Sequence, residues 1–371
     1  MRLTKVEIRR VVLPMVRSFE TGFGTIDEKE TIITKLYTSD GLVGYGESSA
    51  TIAPIYNHET SYSCFYVQEN YIAPQVVGKN FETVEDFKDA YSNIVGHPIA
   101  RTGMECAFWH LIAQRDNKSL KQLFGGVKDE IPVGEGVGIS ASTKQTLTDV
   151  KRIVDAGYSR VKVKIAPGRD LEILHAVRAR FPGIPLTVDA NGSYRYDRDV
   201  EILRAFDQFN LGMLEQPFAS DDICGHARLH RQIKTPICLD ESIESLNDAH
   251  TAVGLDACQV INIKPGRVGG MLESIAIHDL AAQHDISVWC GGMGETGIGR
   301  AFNIAFASKA NCRYPADMSP YSFFYKEDLV EDSFVVKDNG CIDVRTTPGL
   351  GYRVNDKSIE ALTTKKVIVK S

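Results

Sequence analysis

The spacing of apolar and polar residues changes rhythm three times along the 371-residue chain. Over residues 1–45 it alternates. "RLTKVEIRRVVLP" and "ETIITKLYTSDGLVGYGE" read as antiparallel strands, with Ser39-Asp40-Gly41 as a hairpin turn. Residues 58–125 take up helical spacing in "TVEDFKDAYSNIV" and "ARTGMECAFWHLIAQRDN", closed by Gly125-Gly126. From about 130 onward, short apolar strands alternate with polar turns and helices. The strands are "IPVGEGVGI", "RVKVKIA", "PLTVDAN", "LGMLEQP", "PICLDES", "ACQVINIKP", "ISVWCGG" and a weaker one near "CRYPAD". Helices between them include "RDLEILHAVRARF", "DRDVEILRAFDQF", "DICGHARLHRQI", "SLNDAHTAVG" and "MLESIAIHDLAAQH". Such alternation predicts parallel strands. Seven or eight units over about 200 residues predict a (β/α)7-8 TIM-type barrel. Beyond 330 the pattern turns irregular. "FVVKDNGCIDV" reads as a hairpin, turning at Asp338-Asn339-Gly340 and returning to the N-terminal domain. The expected organisation is an α+β capping domain (1–127), a barrel (128–330) and a C-terminal segment (331–371) that rejoins the cap.

Composition narrows the class. Hydrophobic residues make up 43% and charged residues 24%, with a net charge of −6 and no basic stripe. This is a globular composition and disfavours nucleic acid as a partner. No apolar run approaches the roughly 20 residues a membrane helix needs. The alternating "MRLTKVEIRRVVLPM" suits a strand rather than a signal peptide. The eight cysteines are scattered without a CxxC, as expected of buried thiols in a reducing cytoplasm rather than of a disulfide or zinc framework.

The stretch "VKVKIAPGRD" (161–170) places Lys162 and Lys164 on one face of a buried strand. Lys164, Asp189, Glu215, Asp240 and Lys264 each fall at a strand's C-terminal end, with separations of 25, 26, 25 and 24 residues. That is one βα unit repeated four times, so the five side chains ring the C-terminal mouth of the barrel, where active sites form. Three neighbouring carboxylates repel and call for a hard cation with oxygen ligands. Mg²⁺ fits, with Mn²⁺ as a substitute, whereas the absence of His and Cys at these positions argues against zinc. Lys164 is a candidate base. A cation beside it, Lys162, lowers a lysine pKa, as burial does. Arg267 could act in the same way on Lys264. A metal-bound carboxylate can lose its α-proton to one lysine and give a stabilised enediolate. The second lysine can return a proton from the opposite face or supply positive charge.

These residues resemble the muconate lactonizing enzyme group of the enolase superfamily, and within it the o-succinylbenzoate synthase / N-succinylamino acid racemase family. The resemblance rests on "VKVKI" (161–165), "VDAN" (188–191), "LEQP" (214–217), "LDES" (239–242), "NIKPGRVGG" (262–270), "GGMGETGIGR" (291–300), "RSFETGFGT" and "GYGE", and it covers nearly the whole chain. It implies Mg²⁺ on Asp189, Glu215 and Asp240. It also implies an acid/base pair of Lys164 and Lys264, with Lys162 as auxiliary and Asn191 and Glu241 supporting the metal ligands. Residues 17–24, with Phe19, would form a lid over a small carboxylate substrate. Gly291, Gly292 and Met293 would offer backbone groups to its far end. The family commonly assembles, which implies a homo-oligomer.

Three features depart from the family. Gly294 stands where a bulkier apolar residue is usual, Glu135 where a small or apolar one is expected, and the segment 58–72 is atypical. All three are expected near the pocket or lid. Dehydration to o-succinylbenzoate, a step of menaquinone synthesis, is the leading reaction. Racemisation of N-acylamino acids is the runner-up, and a cycloisomerase or dipeptide epimerase would use the same ring. Other readings are a Schiff-base aldolase, which leaves three carboxylates unexplained, and a non-catalytic barrel. Locally, Ser242 could cap a helix, "GGMGETGIG" could cradle phosphate although Glu295 disfavours an anion, and Lys162 could merely snorkel at a strand edge. None of the nine histidines takes a catalytic role in this reading.

Overall fold

The computed structural model describes residues 1–21 and 24–371, with the side chains of 17–27 excepted. Strands β1 (Leu3–Thr21), β2 (Gly24–Thr38) and β3 (Val43–Ser48) form the antiparallel sheet expected of the first rhythm. The helix Pro98–Arg115 packs on β3 at unusually short range. A Cβ on Gly44 or Gly46 would lie 2.0 Å from the carbonyl oxygen of Ala107 or Gly103. The glycines of "GYGE" are therefore required by close packing, and they carry Glu47 to the domain junction. Its carboxylate accepts from Thr31 Oγ1 and, across the junction, from the N–H groups of Thr296 and Gly299, at the start of the barrel helix Gly297–Ala307. An anion at a helix N-terminus is favourable, so Glu47 pins the cap to the barrel.

The barrel strands are β4 (Glu130–Val137), β5 (Arg160–Lys164), β6 (Leu186–Asp189), β7 (Leu214–Glu215), β8 (Ile237–Leu239), β9 (Val260–Ile263), β10 (Ser287–Cys290) and β11 (Ala316–Asp317). They lie in the eight stretches read from the sequence. Neighbours from β4 to β10 pair in parallel, and β11 pairs back on β4. Between β10 and β11 the ring is nearly closed by the bridge of Val288 with Cys312. All eight cysteines are free thiols. Among the described residues no helix is long and apolar enough to cross a membrane.

Two expectations need correction. Residues 337–341 do turn, with Gly340 N–H donating to the Lys337 carbonyl, but β12 (Cys341–Asp343) pairs antiparallel with β4 of the barrel and not with the cap. The entry end of β4 offers an open edge that β12 covers. The chain rejoins the cap later, through the helix Asp356–Leu362 and β13 (Thr363–Lys370) on β1.

Glu135 is the second correction. In β4, Gly134 is paired with Arg160 and Gly136 with Lys162, and a Cβ on either glycine would approach those side chains inside the barrel. Glu135 therefore points outward, away from the substrate mouth, among Arg152 and Tyr158. Burial pushes its carboxyl up to about 7, against the pull of the Gly136 N–H. The folded chain thus holds a proton that the unfolded chain releases near pH 4.5. The resulting cost is absent in acid, grows as pH rises from about 4.5 to 7, and reaches at most about 3 kcal/mol. Glu135→Gln, which keeps the acceptor for Gly136, should raise the melting temperature at pH 8.5 and leave it nearly unchanged at pH 5. Equal shifts at both pH values would show that Glu135 is not protonated in the fold.

Candidate active site

Lys164, Asp189 and Glu215 are the last residues of β5, β6 and β7, and Asp240 and Lys264 follow β8 and β9 directly. The register pairs Lys164 with Asp189 and Asp189 with Glu215. The five side chains are therefore consecutive around one mouth. Three strands separate β5 from β9, half of an eight-stranded barrel, so Lys164 and Lys264 flank the carboxylates from opposite sides.

Each carboxylate meets a cation. Lys164 Nζ donates to Asp189 Oδ2 at 3.2 Å and to Asn191 Oδ1. Lys162 Nζ lies 3.3 Å from Glu215 Oε2 and 3.8 Å from Asp189 Oδ2. Lys264 Nζ donates to Asp240 Oδ2 at 2.7 Å, and Arg267 bonds Asp240 Oδ1. The expectation that Arg267 leaves Lys264 lowered is not met here, because the surrounding anions outweigh it. Burial alone would lower Lys162, but Asp317, Glu215 and Asp189 together hold it above its ordinary value. At Lys264, burial and Arg267 are outweighed by Asp240 and Tyr56, and the ammonium is raised well above normal. Burial works against ionisation of Asp240, yet Lys264 and Arg267 keep it well below the usual carboxylate range.

Glu215 behaves oppositely. Burial, with Asp189 and Asp240 beside it, pushes its carboxyl up to about 8, and Glu241 is pushed up to about 6 for the same reasons. Glu215 Oε2 and Glu241 Oε2 are buried without a hydrogen-bond partner. Among the described residues no three acidic, His or Cys side chains are placed to hold a metal as they stand, and ammonium groups sit among the carboxylates. Orphaned, proton-hungry carboxylate oxygens of this kind suit an added hard cation, so the donor set fits Mg²⁺.

Several supporting residues escaped the sequence reading. Gln216, at φ 40°, accepts from the N–H groups of Asp240 and Ser242 and donates to Ser242 Oγ. Ser242 is thus tied to Gln216 and is not a helix cap; Ser245 caps the helix Leu246–Gly254. Asn191, which the sequence reading did name, sits at φ 41° and links Asp189 to Glu241 through its N–H and Nδ2. Such left-handed non-glycine residues cost on the order of 1 kcal/mol each and persist where surroundings over-determine them. Asn262 Nδ2 donates to Glu215 Oε1 at 2.8 Å. Tyr56, from the cap, places its hydroxyl 3.0 Å from Lys264 Nζ and 2.9 Å from Arg267 Nη1. Asp317 lies 2.6 Å from Lys162 Nζ.

Gly291 must be glycine, since a Cβ would meet Asn262 Oδ1 at 2.3 Å and Lys264 Cε at 2.8 Å. Gly292 lies over the Asp317 carbonyl. The backbone of Met293 is already engaged: its N–H donates to Glu295, and its carbonyl accepts from Lys29 Nζ and Ser49 Oγ of the cap. Met293 is therefore a junction between domains rather than a free donor to substrate. Gly294, at φ 69°, receives Tyr325 O–H on its carbonyl, and a Cβ there would crowd that hydroxyl at 2.9 Å. The Phe19 side chain and the centre of the expected lid lie outside the described residues.

The comparisons agree with this geometry. Residues 4–125 match the N-terminal domain of the mandelate racemase / muconate lactonizing enzyme family, and residues 145–358 match the enolase C-terminal domain-like family. The chain is 39% identical to the o-succinylbenzoate synthase of Bacillus subtilis (strain 168), over 98% of this chain and 97% of that one. It is 40% identical to the N-succinylamino acid racemase of Amycolatopsis sp, over the full length of both. A solved enolase-superfamily member from Listeria innocua superposes with a TM-score of 0.95 at 35% identity, covering 100% of this chain and 99% of that one. An eight-stranded barrel with opposed lysines around three carboxylates, a separate antiparallel cap and these relatives together place the chain among the enzymes of the enolase superfamily, in the muconate lactonizing enzyme group and its o-succinylbenzoate synthase / N-succinylamino acid racemase family.

Proposed function

We propose that the protein removes the α-proton of a small carboxylate substrate with the help of Mg²⁺, and that its leading reaction is dehydration to o-succinylbenzoate. The observation that carries this is the opposition of Lys164 and Lys264 across Asp189, Glu215 and Asp240. Mg²⁺, or Mn²⁺ in its place, would be held by those three carboxylates and would supply positive charge against the substrate carboxylate as the α-carbon becomes anionic. The remaining work belongs to the chain. Lys164, the more open of the two lysines, takes the α-proton once it is neutral, and Asn191 Oδ1 fixes its Nζ. Lys264, held as an ammonium by Asp240 and steadied by Tyr56, faces the opposite side of the substrate. In dehydration the C–H and C–O bonds break, a C=C bond forms, and a lysine proton leaves with the hydroxyl as water. Lys264 then acts as counter-cation.

Racemisation of N-succinylamino acids is the second reading. Relatives bearing that name match as well as those named synthase, and the two-sided lysines suit proton removal from one face and return to the other. Proton NMR in D₂O with Mg²⁺ separates the two. One sample contains the synthase substrate, the other N-succinyl amino acids. Dehydration with little α-deuterium incorporation into the amino acids is expected. Exchange and racemisation without dehydration would reverse the assignment.

A further inference from the structure

Lys162 stands beside two of the carboxylates assigned to the metal, where it could close the site. Its Nζ lies 3.3 Å from Glu215 Oε2, the oxygen without a hydrogen-bond partner, and 3.8 Å from Asp189 Oδ2. An ammonium so placed competes with a divalent cation for the same oxygens. Its nearest carboxylate is neither of them. It is Asp317 Oδ2, at 2.6 Å, on the eighth barrel strand.

Asp317 is itself held from below. Its Oδ1 is bound by Arg160 Nη2, whose guanidinium also donates to the Pro315 carbonyl at 3.2 Å and to Thr187 Oγ1 at 3.1 Å. The guanidinium lies 4.8 Å over the Trp289 ring, and Lys162 Nζ lies 5.0 Å from the same ring. Gly134 leaves room for this arrangement, since a Cβ there would meet Arg160 at 2.8 Å. The strand pairing fixes it further, because Asp317 is registered with Gly134 and Gly134 with Arg160. An aspartate clamped by a buried arginine presents a fixed anion to Lys162, from the side of the barrel away from Glu215 and Asp189.

We propose that Asp317 is a positioning residue for the metal site: as the nearest anion it draws the Lys162 ammonium toward itself, so that Lys162 stands 3.3 and 3.8 Å from Glu215 and Asp189 instead of closing on the oxygens that the divalent cation needs. Without the Asp317 charge, Lys162 has Glu215 Oε2 and Asp189 Oδ2 as its remaining anionic partners and moves onto them. The proposal rests on the assignment of Mg²⁺ to Asp189, Glu215 and Asp240, and its test separates the two.

Mg²⁺ binding to the purified full chain is measured by isothermal titration calorimetry, with thermal unfolding as the check on folding. Asp317→Asn should weaken Mg²⁺ binding at least tenfold. In a Lys162→Met background the same substitution should change affinity less than twofold, because the competitor is gone. Lys162→Met alone should tighten binding, which keeps the test decisive should Asp317→Asn not fold. The proposal is overturned if Asp317→Asn binds Mg²⁺ within twofold of wild type, if its loss persists undiminished without Lys162, or if Lys162→Met alone weakens binding. Failure of the wild-type protein to bind Mg²⁺ or Mn²⁺ would overturn the metal assignment as well.

Discussion

Lys164→Ala should lower kcat by roughly 10³-fold for both dehydration and racemisation, because a positioned general base contributes about 10²- to 10⁴-fold. The sharper result comes from the opposite lysine. Lys264→Arg keeps a cation near Asp240 but replaces an amine that can give up its proton with a guanidinium that stays charged. If dehydration uses Lys264 only as a counter-cation, this variant should retain a tenth or more of the synthase activity. Racemisation, which needs proton carriers on both faces, should fall at least 10²-fold. Equal losses in both assays would mean that Lys264 donates a proton in dehydration too. Retention of racemisation would remove Lys264 from the acid/base pair altogether. The geometry behind the prediction is the placement of the two lysines half a barrel apart, each hydrogen-bonded to a different carboxylate of the ring.

Glu215→Gln should abolish Mg²⁺-dependent activity and, without metal, stabilise the protein. The substitution keeps an acceptor for Asn262 Nδ2 and removes the buried charge. In the metal-free fold the Glu215 carboxyl is pushed up to about 8 by burial and by Asp189 and Asp240. Because that value is raised, ionised Glu215 costs stability progressively as pH rises from about 4.5 to 8, and the cost is complete above 8. It is on the order of 2 kcal/mol once relaxation and the coupling of the carboxylates are allowed for. At pH 9 in EDTA the variant should therefore melt above wild type, and near pH 5 the gap should close. Added Mg²⁺ should invert the order at pH 9. Wild type gains stability by mass action, about 2.7 kcal/mol at a hundredfold excess over Kd, and the variant gains little. A variant stabilised by Mg²⁺ as much as wild type would show that Glu215 is not a ligand.

The two results share one cause. The chain collects three acidic side chains in a buried barrel mouth, an arrangement that its own lysines and Arg267 offset at Asp240 but not at Glu215. Functional sites commonly retain such unfavourable local choices. Here the orphaned oxygens of Glu215 and Glu241 mark where the offset is incomplete.

The repeat of Lys164, Asp189, Glu215, Asp240 and Lys264 was readable because each βα unit returns the chain to the same mouth after about 25 residues. Sequence distance then reports spatial position directly, and residue type supplies the chemistry. The same logic gave the eight strands and the antiparallel start of the cap. It failed where the period breaks. Asp317 lies on a two-residue strand after an irregular segment, so nothing local announces that it faces Lys162, 155 residues earlier. Tyr56 reaches Lys264 across 208 residues, from a cap loop without regular structure.

Glu135 was placed near the pocket because its strand was known but its face was not. Only pairing register decides which of two alternating faces points inward, and a one-residue difference exchanges them. Met293 was expected to offer backbone groups to the substrate, but its N–H donates to Glu295 and its carbonyl accepts from Lys29 and Ser49 of the cap. The sequence alone therefore determined the ring, since short-range periodicity encodes which residues share the mouth. The tertiary structure decided what surrounds each member of that ring, since counter-ions such as Asp317 and contacts such as Tyr56 come from segments whose separation carries no period.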